Sequence, residues 1–100
     1  MSLEEAHWRL SFVPAWIIGL GDRGVLREGM AADVIVYDLD GLDIAPFWSG
    51  EIVHDLPAQE WRRVSHAKGY RAIIVNGVVT FEDGECTMAT PGKLLRHGVG

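Results

Sequence analysis

The chain has 100 residues, 48% hydrophobic and 23% charged, with twelve glycines and a net charge of −5. That is one domain's length, enough for a single core. The acidic balance argues against a nucleic-acid surface, which needs a basic stripe to meet phosphates.

The first residues carry a helical pattern. Leu3, Ala6, His7 and Leu10 fall at the i, i+3, i+4, i+7 spacing of one helix face, with Glu4 and Glu5 near the positive end of its dipole. Pro14 is expected to end this helix and open a second, short one over 14–18, because it lacks the amide that would continue the ladder. Gly19 and Gly21 are stop signals. The grammar changes from Arg23: Gly24 and Gly29 punctuate a loop, and Val34-Ile35-Val36-Tyr37 is an apolar run that fits a strand buried on both faces. Asp40-Gly41 marks a turn. Short strands are expected at 51–55 and 62–66, separated by Leu56-Pro57.

The strongest local signal is Asn76-Gly77 between two strand-like runs, 70–75 and 78–82, which predicts a β-hairpin at 70–82 closed by a type I′ turn. That turn pairs Val75 with Val78, Ile74 with Val79, Ala72 with Phe81 and Arg71 with Glu82. Asp83-Gly84 predicts a second tight turn into a strand at 85–88. Pro91, with Thr90 as its cap, is expected to start a short helix whose apolar side is Leu94 and Leu95. The pattern is α+β: short N-terminal helices followed by small sheets.

A catalytic constellation does not emerge. His7, His54, His66 and His97 form no His-x-His and no helical pair, so none has zinc-ligand spacing. His54-Asp55 could be written as a base with an orienting acid, but adjacent strand residues point to opposite faces. Cys86 follows a glutamate, which disfavours a thiolate, and reads as a strand thiol. As the single cysteine it also excludes an internal disulfide and fits a reducing cytoplasm. Gly19-x-Gly21-x-x-Gly24 follows a helix rather than a strand, which is the wrong context for dinucleotide binding. Trp8, Trp16, Trp48 and Trp61 fit core or interface positions better than a ligand groove. No residue is assigned as catalytic, cofactor-binding or metal-ligating. No apolar run is long enough to span a bilayer, and no membrane partner is expected.

Two segments, "GLGDRGVLREGMAADVIVYD" (residues 19–38) and "AKGYRAIIVNGVVTFEDGECTMATPGKLLRHG" (residues 67–98), with Pro14-Ala15 before the first and "VHDLP" between them, carry a resemblance. They resemble the C-terminal end of metal-dependent amidohydrolases, closest to the N-acyl-D-amino-acid deacylase (D-aminoacylase) branch. The resemblance covers residues 4–98. It implies a parent enzyme with a (β/α)₈ barrel and, beside it, a composite β-sandwich built from both chain ends. Residues 1–22 would then be the end of the barrel, with the Trp8/Phe12 side of the helix packed on it, and residues 23–100 part of the sandwich. Gly29 would permit a tight turn, and Asp33 would hydrogen-bond nearby backbone amides ahead of the strand. The parent is expected to hydrolyse non-peptide C–N bonds by metal-activated water, with zinc or another divalent cation held by barrel residues that have no counterpart here. Expected partners are that barrel and, for the isolated chain, further copies of itself, through exposed strand edges or exchange of the N-terminal helix. The alternative is a free-standing small β module, without enzymatic activity, that binds a partner or ligand.

Overall fold

Residues 3–17 form one continuous helix in the computed structural model, which describes residues 1–44 and 50–96. Ser2 caps its start, its hydroxyl oxygen accepting the Glu5 N–H at 3.1 Å. Glu5 and Arg9 pair one turn apart at 2.9 Å. The break expected at Pro14 does not occur. Two α-helical pieces, α1 (Leu3–His7) and α2 (Val13–Ile17), are joined by a wide π-helical turn over Trp8–Phe12. The Val13 N–H reaches back five residues to the carbonyl of Trp8. Opening the turn immediately ahead of Pro14 admits a ring that offers no N–H and would crowd the preceding turn. The helix ends at Ile17, and the Leu20 N–H returns to the carbonyl of Ala15 at 2.9 Å.

The loop after the helix folds back on it. Gly24 (φ +97°) lies so close that an added Cβ would stand 2.9 Å from the Ser11 carbonyl oxygen and 3.0 Å from the Ala15 Cβ. Only glycine combines that backbone conformation with that approach. Ala15, 8% exposed, is the one buried hydrophobic residue among the described residues.

The main sheet has four antiparallel strands in the order β1 (Val34–Tyr37), β6 (Tyr70–Val75), β7 (Val78–Glu82) and β8 (Glu85–Cys86). Between β1 and β6 lie two short antiparallel pairs. β2 (Asp43–Ile44) pairs with β5 (Ala67–Lys68), and β3 (Glu51–Val53) pairs with β4 (Arg62–Val64). The strands expected at 51–55 and 62–66 are therefore present in shorter form. The chain is α+β.

The hairpin turn is as the sequence indicates: Asn76 (φ 49°) and Gly77 (φ 79°) both have the positive φ of a type I′ turn. Val75 faces Val78 and Ile74 faces Val79. Beyond that the expected register fails, because Thr80 is an extra residue on β7. Ile73, not Ala72, faces Phe81, and Ala72 faces Glu82. The Thr80 hydroxyl donates to the Ile73 carbonyl at 3.0 Å, occupying a polar group that the bulge takes out of the ladder. A second bulge places Arg71 opposite no residue of β1. Arg71 lies 3.9 Å from Asp38 and is not the cross-strand partner of Glu82.

Two further expectations are corrected. Residues 90–95 are not helical; the Pro91 carbonyl accepts a hydrogen bond from the Asn76 side chain, which holds this stretch against the hairpin turn. And β1 is not buried on both faces: it is an edge strand, with Ile35 57% and Val36 45% exposed. Ile35, Ile73 and Phe81 share one face of the sheet, while Val34, Ile74 and Val79 share the other. Both faces carry apolar side chains, and Ile35, Val79 and Phe81 on them remain exposed.

The whole chain is correspondingly open. Its accessible surface is 8159 Å² for 11.0 kDa, against roughly 5,600 Å² for a folded monomer of that mass. Its radius of gyration is 15.9 Å, against about 13 Å for a compact domain of 100 residues.

Candidate functional site

A cluster of polar side chains joins the loop ahead of β1 to the β6–β7 turn. Arg23 sits at its centre, its side chain only 14% exposed. It donates from Nη1 to Asp22 Oδ1 at 2.7 Å, from Nε to Asp33 Oδ2 at 3.1 Å and from Nη2 to Asn76 Oδ1 at 3.2 Å. The other oxygen of Asp33 accepts the backbone N–H of Asn76 at 2.9 Å. Beside it the Gly77 N–H donates to the Ala32 carbonyl at 2.9 Å. Asn76 Nδ2 donates to the Pro91 carbonyl at 2.9 Å. Asp33 thus binds a backbone amide, though one far along the chain rather than a nearby one.

This joint has the chemistry of a clamp. Asp33 is engaged through both oxygens, by a guanidinium and a backbone amide, and Asp22 through one, by the same guanidinium. What it accomplishes is to fix the helix-bearing loop against the sheet, and to do so with charge-assisted bonds.

A second contact ties helix to sheet. His7 Nε2 and the Tyr37 hydroxyl lie 2.5 Å apart, and the Tyr37 ring stands 6.3 Å from that of Tyr70. The other candidate residues are dispersed. His54 does not share a bond with Asp55, whose two carboxylate oxygens instead accept Arg62 Nε at 2.7 Å and Nη2 at 2.5 Å. That guanidinium holds the Asp55 carboxyl below its ordinary range. His66 Nε2 lies 3.6 Å from Glu51 Oε2, both side chains being largely exposed. Cys86 is exposed, its sulfur accepting the Met88 N–H at 3.4 Å. Trp8, Trp16 and Trp61 are exposed rather than in a core. Trp48 and His97 lie outside the described residues.

No group of three or more His, Cys, Asp or Glu side chains close enough to hold a metal ion occurs among the described residues. Two depressions flank Tyr70, one against Arg71 and Asp83 and one against Leu42 and Ile44; both are shallow and open to solvent. No described helix is long and apolar enough to cross a membrane.

Asp33, Asn76 and Gly77, the residues that meet in the clamp, all come from the two segments that carried the family resemblance. The comparisons with known proteins agree with it. Residues 1–81 match the model of the Amidohydrolase family. The chain is 31% identical over 97 residues to the N-acyl-D-glutamate deacylase of Alcaligenes xylosoxydans xylosoxydans. That alignment covers 97% of this chain but 17% of the relative, so the chain spans about a sixth of that protein's length. No solved structure matches it. With four-fifths of its length inside the family model and its clamp built from the family-like segments, this chain belongs to the amidohydrolase family, near its D-aminoacylase-like members.

Proposed function

We propose that this chain is the C-terminal, non-catalytic portion of a larger hydrolase that cleaves C–N bonds other than peptide bonds, with N-acyl-D-amino acids as the substrate class. Its role is to complete a composite β-sandwich beside a catalytic barrel. The observation that carries this reading is the uncovered surface. The chain exposes about 2,500 Å² more than a closed monomer of its mass would. A standard protein–protein interface covers about 800 Å² per partner, so the excess is on the scale of a missing half of a core. The apolar sheet faces, the open β1 edge and the exposed Leu10, Trp16 and Ile17 of the helix are where that cover would lie.

Zinc or another divalent cation is implied for the parent by the family resemblance. The described residues present no donor set that fits it. The compartment that suits an exposed, unpaired Cys86 thiol is a reducing cytoplasm.

The test is the solution behaviour of the isolated 100-residue chain. Uncovered strand edges and apolar faces lead to association of two or more copies and to binding of a hydrophobic dye. Light scattering across a dilution series should show the average mass rising with concentration. A monodisperse monomer that binds no dye would overturn the reading in favour of a free-standing module.

A further inference from the structure

We draw no further inference here: the strongest candidate, the surface patch on and beside the β3–β4 pair with its exposed Ile52, Leu56 and Trp61 side chains, is an unpartnered apolar surface, and nothing among the described residues shows what covers it.

Discussion

Asp33 and Asn76 stand 43 positions apart in the chain, yet the carboxylate of one caps the backbone amide of the other at 2.9 Å. The same carboxylate holds Arg23 through its second oxygen. Asp33→Ala removes both acceptors at once and leaves a largely buried guanidinium with weaker compensation. The expected loss is about 1–3 kcal/mol, the usual range for stranding a buried donor. Asp33→Asn keeps an oxygen for Asn76 while losing the charge, and should cost less. Thermal unfolding followed by circular dichroism gives the order of the three proteins, and amide exchange locates the effect. An Asn76 amide that exchanges no faster in Asp33→Ala than in the parent would show that the clamp does not form.

Gly77 sits in the turn at φ 79°, and an added Cβ would meet only the Ala32 Cβ, at 3.9 Å. There is room for a side chain, so the cost of substitution is conformational. Gly77→Val should destabilise the chain by about 1–3 kcal/mol because a β-branched residue resists positive φ. Gly77→Asn should lose less, since Asn tolerates this region. Equal melting temperatures for the Val and Asn variants would mean that positive φ is not what the position demands.

Asp55 supplies the pH dependence. Its carboxyl titrates below the ordinary 3.8 because the Arg62 hydrogen bond, and then the Arg62 charge, favour the ionised form. With the folded value depressed, the contribution of this pair is fully present above the unfolded value and is lost as pH falls through the folded one. The pair is therefore intact at neutral pH and releases only below about pH 4. An NMR titration of the Asp55 carboxyl carbon should have its midpoint below 3.8; in Arg62→Ala the midpoint should rise towards that value. No difference between the two proteins would remove the pair from the account.

How much of this was legible in the sequence follows the range of each interaction. The Asn76-Gly77 turn and the strands beside it are set by neighbouring residues, and both appear as read. Thr80 carries no local mark of a bulge: an apolar-polar alternation looks the same whether or not the partner strand skips a residue, so the register beyond Ile74 was lost. Pro14 locally signals a helix break, and the π turn that accommodates it has no sequence signature. Pro91 looked like a helix start because its carbonyl's partner, Asn76, is invisible from nearby residues. The clamp was the least legible feature. Asp33 announces a hydrogen-bond acceptor, but a single sequence does not say that its donor waits in a turn 43 residues on. The exposure of β1 is illegible for a related reason, since an apolar run reports that a strand should be covered and not whether the cover belongs to the same chain.

The central claim is that this chain completes a larger enzyme, and the most direct measurement is the mass of the native polypeptide that carries it. An antibody raised against residues 84–95, which are largely exposed, would be used on denaturing blots of natively separated fractions of a source-cell extract, each fraction also being assayed for activity. The account predicts a band several times the 11.0 kDa of this chain, co-purifying with chelator-sensitive hydrolysis of N-acyl-D-amino acids. A band at 11.0 kDa, with no deacylase activity following it, would contradict the account.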